Sequence, residues 1–355
     1  MSHYTKQSWP WKDTVPAEMY AHRNDWPKIS IVTPSFNQGQ YIEETILSVI
    51  GQNYPNLEYI VIDGGSTDNT VEILKKYEHQ LTYWVSEPDK GQSHAINKGL
   101  ERCTGHVFNW LNSDDYYMPN TFFHLAEAYF KNPNISCWAG GFRQFFDGQP
   151  NSNEDFEPMT ISSPPSRTMG TPIMLQPSTF FSLSVLREIG GINDKLRYVM
   201  DLEMWIRYLI QKGDTELVRI APMLTAFRRH VQSKTVNESV RFVAETDKLY
   251  FSIAILIKAV AQKETLNHLY NNELKDLVFS WGLSEQQRLR LRESLSYYLL
   301  ERAHQLYAAN QWKNARILLK ATETQLMDKP AQKMYKRLYL RTRLPSWIAK
   351  IRSKK

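Results

Sequence analysis

The sequence predicts an α/β protein, a doubly wound and mostly parallel sheet followed by an all-helical region. Three observations predict it. From Lys28 onward, short apolar β-rich runs alternate with stretches of helical periodicity. Polar clusters stand at the ends of the runs, and beyond about Val236 strand signals give way to segments rich in Leu, Tyr, Ala and Gln. The expected organisation is an N-terminal arm (1–27), a sheet domain (28–235) and a helical C-terminal region (236–355) with a basic tail.

The arm carries Trp9, Trp11, Trp26 and three prolines without a clear period. Ile29 to Thr33 reads as the first strand, ended by Pro34, Asn37 and Gly39. Ile42, Ile46, Val49 and Ile50 then recur at helical spacing, with Glu43 and Glu44 in the first turn where the helix dipole favours acid. Leu57 to Ile62 is a second strand, broken by Asp63-Gly64-Gly65-Ser66. Asn69 and Glu72 have capping-box spacing and open a helix through Tyr77. Leu81 to Val85 gives a third strand, Ala95 to Arg102 a helix, and His106 to Leu111 a fourth strand that lands on Asn112-Ser113-Asp114-Asp115. Strands separated by short helices indicate a parallel sheet, and ligands bind at the carboxyl ends of such strands. Four polar loops therefore converge on one edge. Pro150 to Pro172, rich in Ser, Pro, Asn and Asp, is expected as a loop over that edge. Met200 to Gln211 reads as an amphipathic helix and Ser296 to Gln325 as a helical hairpin.

The adjacent carboxylates Asp114 and Asp115 repel one another, so both stay ionised cheaply only beside a cation or in water. Hard oxygen ligands suit Mg²⁺ or Mn²⁺, which in turn clamps a diphosphate; the alternative is a solvated acidic turn. At Asp63-Gly64-Gly65-Ser66-Thr67-Asp68 the glycines let backbone N–H groups approach a ligand while Asp63 offers an acceptor to a base or ribose. A tight turn with a helix cap reads equally well. Neither the G-x-G-x-x-G fingerprint nor a G-K-[ST] phosphate loop is present. Asp201 heads a helix and is either a cap or a general base. His230 is a metal ligand or an ordinary polar residue, and Lys90 and Arg229 meet phosphate or solvent. Trp110, Phe145 and Phe146 read as core rather than as sugar platforms.

The order of these clusters narrows the choice. Ile31-Val32-Thr33-Pro34-Ser35-Phe36-Asn37, then Asp63 to Asp68, then Asn112 to Asp115, then Gln176-Pro177-Ser178-Thr179-Phe180-Phe181 and Met200-Asp201-Leu202-Glu203-Met204-Trp205, resembles the family 2 glycosyltransferases of the GT-A fold. The resemblance spans about Lys28 to His230. It implies that Thr33, Pro34 and Asp63 hold the nucleotide base, with Ser66 and Asp68 nearby and Glu44 near the ribose. The family's D-x-D motif falls on Asn112-x-Asp114-Asp115, a departure that leaves Asp114 and Asp115 to supply the carboxylates. His230 would close the metal shell, and Asp201 alone inherits the role of base. Ser35, Asn37, Gly64, Lys90, Gly91, Asn97 and Ser113 complete the expected donor site. His94 stands where relatives often carry acid.

The same resemblance implies an inverting transferase, dependent on Mn²⁺ or Mg²⁺. It would take a nucleotide sugar, of the UDP type, and glycosylate a glycan or a lipid-linked saccharide in polysaccharide or cell-surface glycan synthesis. The rival readings are a catalytically silent carbohydrate-binding scaffold and a sugar-nucleotide pyrophosphorylase. The latter normally carries a Gly-rich loop with Arg and Lys where this chain has Pro34 to Asn37.

Composition bounds the rest. With 42% hydrophobic and 23% charged residues the chain is globular, and two cysteines exclude a disulfide framework and fit a reducing compartment. No apolar signal core or spanning run is read, so a cytoplasmic or peripheral protein is expected. After Asp328 no acidic residue occurs, while Lys333, Lys336, Arg337, Arg341, Arg343, Lys350, Arg352, Lys354 and Lys355 interleave with aromatic and aliphatic residues. That segment suits either an anionic leaflet or a helix with a solvated charged face. Nothing else in the chain points to nucleic acid.

Overall fold

A computed structural model describes residues 8–171 and 175–343. Two compact units emerge. One is made of Met1–Thr160, Met174–Met204 and Asp214–Ser239, the other of Ile161–Ile173, Trp205–Gly213 and Val240–Lys355.

The first unit is built on one sheet, nine-stranded among the described residues. Its strands are β1 (Ile29–Ser35), β2 (Leu57–Asp63), β3 (Tyr83–Ser86), β4 (Val107–Trp110), β5 (Tyr116–Tyr117), β6 (Cys137–Phe146), β7 (Gln149–Phe156), β8 (Thr179–Ser182) and β9 (Leu217–Arg229). The helices in chain order are α1 (Ile42–Ile50), α2 (Thr70–Tyr77), α3 (Gln92–Arg102), α4 (Thr121–Lys131), α5 (Pro165–Gly170), α6 (Leu183–Glu188), α7 (Met200–Gln211) and α8 (Lys234–Asn237). They continue as α9 (Ser239–Leu256), α10 (Val260–His268), α11 (Glu285–Ala308), α12 (Trp312–Ala321) and α13 (Lys329–Arg343).

Strand order is β3-β2-β1-β4-β8-β6-β9-β5, with β7 also paired to β6. The first four strands are parallel, as the alternating pattern predicts. Every residue of β1 is buried, the signature of a central strand covered on both faces. Helix α3 lies so close to it that a Cβ on Gly99 would sit 2.5 Å from a methyl of Val32. The second half of the sheet is mixed. β8 runs antiparallel between β4 and β6, β5 is antiparallel to β9, and β6 and β9 are parallel.

Two local expectations are corrected. Part of the polar stretch expected as a loop is strand β7, held on β6 by Arg143, which forks onto Asp155 at 2.6 and 2.8 Å, and by Phe142 stacked on Phe156 at 4.7 Å. The Asn69 capping box does not form; Asp68 Oδ1 accepts the Thr70 N–H at 3.0 Å instead. The arm packs on this unit. Trp26 is buried edge-on to Tyr20, and Trp9 Nε1 donates to the Tyr117 carbonyl at 2.8 Å.

At the amino ends of the strands, opposite the loops of interest, buried Glu58 draws four donors together. Its carboxylate accepts from Ser30 Oγ at 2.5 Å, from the N–H and Oγ1 of Thr104 at 2.7 Å each, and from Lys28 at 3.1 Å. Burial alone would raise its pKa, but these donors outweigh burial and hold it below the usual value.

The second unit is helical. Ser284 and Gln287 form a capping box at the start of α11. Fully buried Asp247 accepts from Tyr298 at 2.5 Å, Tyr270 at 2.7 Å and Arg302 Nε at 3.0 Å, so its charge is paired and hydrogen-bonded. Among the described residues no helix is long and apolar enough to cross a membrane. Residues 344–355, the end of the basic tail, lie outside the described residues.

Candidate active site

Loops at the carboxyl ends of β1 to β4 are laced together by short polar contacts. Asp63 ends β2 and is fully buried, and its carboxylate accepts four hydrogen bonds. The donors are the Gly65 N–H (3.2 Å), the Ser66 N–H (2.8 Å), Ser66 Oγ (2.5 Å) and Ser86 Oγ at the end of β3 (2.6 Å). A buried carboxylate is tolerated only when so satisfied. The turn requires a left-handed residue, supplied by Gly65 at φ 83°. Asn37, itself at φ 53°, donates its N–H to Ser66 Oγ at 2.7 Å and accepts the Thr67 N–H at 2.9 Å. The Gly64 N–H donates to the Ser35 carbonyl at 2.8 Å, and a Cβ there would press on Asp89 of the next loop. Thr33 is buried and bonded to the Tyr59 hydroxyl at 3.1 Å. Ser35 Oγ is buried with no hydrogen-bond partner.

The second cluster follows β4. Asn112 accepts from Gln92 Nε2 at 2.7 Å and donates to Asp115 Oδ2 at 3.3 Å, while Lys234 donates to Gln92 Oε1 at 3.0 Å. Ser113 is buried beside them. Asp115 is turned inward, 1% exposed, with Oδ1 accepting the Arg228 N–H at 2.9 Å. Burial, and then the neighbouring Asp114 charge, push its pKa well above the ordinary carboxylate range. Asp114 is 23% exposed at its side chain and meets buried His230 Nε2 at 3.0 Å. The Gln232 N–H donates to His230 Nδ1 at 3.2 Å, which places the imidazole proton on Nε2, toward Asp114.

Arg228, on β9, ties the clusters together. Its guanidinium pairs with Glu44 of α1 and with Asp147 at 2.9 Å, and Nε donates to the Asp114 carbonyl at 3.0 Å. Glu44, expected near a ribose, is therefore held by this arginine. The Tyr41 ring lies 4.9 Å from the guanidinium and 4.6 Å from His230, and burial together with Asp147 pushes the phenol up to about 12.

The remaining expected residues are placed less centrally. Lys90 is exposed, and Gly91 precedes α3 at φ 112°. Asn97 turns to the backbone, donating to the Ile192 carbonyl at 2.7 Å and accepting its N–H at 3.1 Å. With Ser93 on the Leu196 carbonyl at 2.7 Å, this fixes the segment that leads to α7. There Asp201 accepts the Leu202 N–H at 2.8 Å. Arg228 and Tyr41 were not singled out from the sequence. The signal for Arg228 is strand alternation: neighbouring residues of β9 face opposite sides, so it points inward while Arg229 spreads over the Phe146 ring at 4.7 Å.

The donor set around Asp114 suits a hard cation. Its partly exposed carboxylate offers oxygen and His230 offers nitrogen, although ligation by Nε2 requires the imidazole proton to move to Nδ1 at the expense of the Gln232 contact. Among the described residues no three carboxylate, imidazole or thiolate groups converge, so an ion here needs ligands from the donor as well.

Comparison with known proteins shows what the chain is similar to as a whole. Residues 30–190 match the family described as Glycosyl transferase family 2. An uncharacterized glycosyltransferase of Mycobacterium tuberculosis is 31% identical over 184 residues, covering 51% of this chain and 68% of the relative. One from Rickettsia typhi is 29% identical over 194 residues, covering 52% of this chain and 59% of the relative; the chain thus spans about three fifths of that protein's length. In fold, the chain is similar to residues 1–349 of TarS from S. aureus, solved in complex with UDP-GlcNAc, with a TM-score of 0.61 at 16% identity over 89% of this chain and 90% of that one. On the shared region and the Mycobacterium relative together, the chain belongs to the family 2 glycosyltransferases.

Proposed function

We propose that this chain transfers a sugar, with inversion, from a UDP-linked donor to a glycan or lipid-linked saccharide in polysaccharide or cell-surface glycan synthesis. The observation that carries the reading is the meeting of Asp114, just past β4, with His230, just past β9, at the sheet edge where Asp63 closes its loop. The uridine assignment is supported by the nucleotide sugar bound in TarS.

Each group then has a task. The loop ordered by Asp63, with Thr33, Pro34, Ser35, Asn37, Gly64 and Ser66, receives the base and ribose. Asn112, Ser113, Lys90, Gly91 and Asn97 flank the diphosphate and sugar. Asp114 would hold Mn²⁺ or Mg²⁺, with His230 as the second ligand and Asp115 behind them, and the ion supplies positive charge to the departing diphosphate. Asp201 takes the proton of the acceptor hydroxyl as it attacks from the face opposite the leaving group. The basic C-terminal segment meets an anionic leaflet, bringing a lipid-linked acceptor within reach.

Thermal shift against UDP, GDP and CDP, with and without Mn²⁺, tests this reading. UDP should raise the Tm, and more so with Mn²⁺, because a ligand that binds only the folded state stabilises it. Slow Mn²⁺-dependent hydrolysis of a UDP-sugar should accompany the shift. A protein that responds to none of the three nucleotides has no donor site, and a silent saccharide-binding scaffold would then be the better description.

A further inference from the structure

Helices α1 and α2 leave the carboxyl edge of the sheet side by side, and a cleft of about 560 Å³ opens between them. Ile73 lies within it, half-buried Trp11 from the arm forms one wall, and Gln40, Glu43, Asn69 and Glu72 line the rest. None of these residues belongs to the donor site described above. The volume falls within the roughly 300–1,000 Å³ typical of small-ligand pockets.

The lining chemistry selects a ligand class. A pyranose presents apolar C–H faces and a rim of hydroxyls that both donate and accept. An indole matches the faces. Planar amides and carboxylates match the rim, because amides offer both donors and acceptors while carboxylates accept in pairs. Charge disfavours the main competitors: Glu43 takes the Lys76 ammonium at 2.6 Å and the Tyr77 hydroxyl at 2.9 Å, which leaves the Glu72 charge unbalanced within the lining. A phosphate, a nucleotide or an acidic sugar would enter an acidic surround.

Position links the cleft to the reaction. Gly39 borders it, where a Cβ would lie 1.9 Å from Asn69 Oδ1, so the 37–41 turn is pressed onto the start of α2. The same turn bonds the Asp63 loop through Asn37. Gln40 Nε2 also reaches Gln232 Oε1 at 3.4 Å, two residues beyond His230. We infer that this cleft is a saccharide subsite that holds a neutral sugar unit of an extended acceptor, a unit other than the one that reacts. The inference rests on the transferase reading, since it assigns the bound sugar to an acceptor.

Fluorotryptophan labelling of the full chain, read by fluorine NMR, tests it, with Trp11→Phe identifying the Trp11 resonance. The probes are methyl glucoside, methyl galactoside, methyl N-acetylglucosaminide and their linear trimers. A trimer should shift the Trp11 resonance saturably, and Glu72→Ala should weaken that binding by about tenfold, near 1.4 kcal/mol. Donor hydrolysis and the UDP-induced thermal shift should be unchanged in both variants. If no probe moves the Trp11 resonance, or if Glu72→Ala binds as the parent does, the subsite is refuted while the UDP response still stands as the test of the transferase. If the UDP response fails but the trimer binds, the cleft holds sugar and its assignment to an acceptor falls.

Discussion

Asp114 and Asp115 are chain neighbours with opposite surroundings, and the difference sets what each substitution does. Asp114 reaches the surface beside His230, so Asp114→Ala should abolish transfer and remove the Mn²⁺-dependent part of the stabilisation by UDP, while the metal-free protein melts close to the parent. Retained turnover would refute the metal assignment. Asp115 instead receives the Arg228 N–H, so its removal acts on the fold as much as on the donor. Asp201→Asn preserves shape but cannot take a proton. Transfer should fall by roughly 10² or more while UDP binding persists; equal loss of both would make Asp201 a structural cap. The placement of Asp63, Asn112, Asp114 and His230 at strand ends was legible, since polar residues there follow apolar runs. Arg228 was not. Two adjacent arginines carry identical chemistry in the sequence, and only the register of β9 makes one of them the buried partner of Glu44 and Asp147.

Among the elements, β1 to β4 are legible because a parallel strand covered on both faces must be a continuous apolar run that stops at a polar loop. Strand β7 was missed because Gln149–Phe156 is polar up to its last residue, so no apolar alternation marks a strand that is set by its antiparallel pairing with β6. The amino-terminal ends of β1 and β2 carry a feature that strand patterns do not reveal, the four-donor nest around Glu58. Its pKa is lowered from the ordinary 4.5, so ionised Glu58 stabilises the fold above the unfolded pKa, and the stabilisation is lost as pH falls through the folded value. Glu58→Gln should therefore cost about 1–3 kcal/mol at neutral pH, the range for disturbing a buried hydrogen-bonded group. In melts across acid pH the gap to the parent should close once both proteins are below that window. A gap that persists unchanged would mean that packing, not charge, sets the cost.

For the molecule as a whole, the basic C-terminal segment yields a prediction about location. Removing Leu344 to Lys355 should leave donor hydrolysis intact and lower sedimentation with anionic liposomes, most clearly at low salt, each nearby cation contributing about 1 kcal/mol. Equal sedimentation of the two proteins would turn the search for an acceptor toward soluble sugars. The pairing of Asp114 with His230 has a consequence of another kind. The two residues stand 116 positions apart, and Arg228 is 113 positions from Asp115, which it buttresses. On a ribosome, where chains emerge amino end first, the nest around Asp63 can close once β3 is out, whereas Asp115 waits for β9 before its carboxylate finds the Arg228 donor. The proposed nucleotide grip would thus be written early in the chain and the proposed reactive corner late. A nascent chain halted before Leu217 would hold the first without the second, so competence to bind would precede competence to react in the order of synthesis.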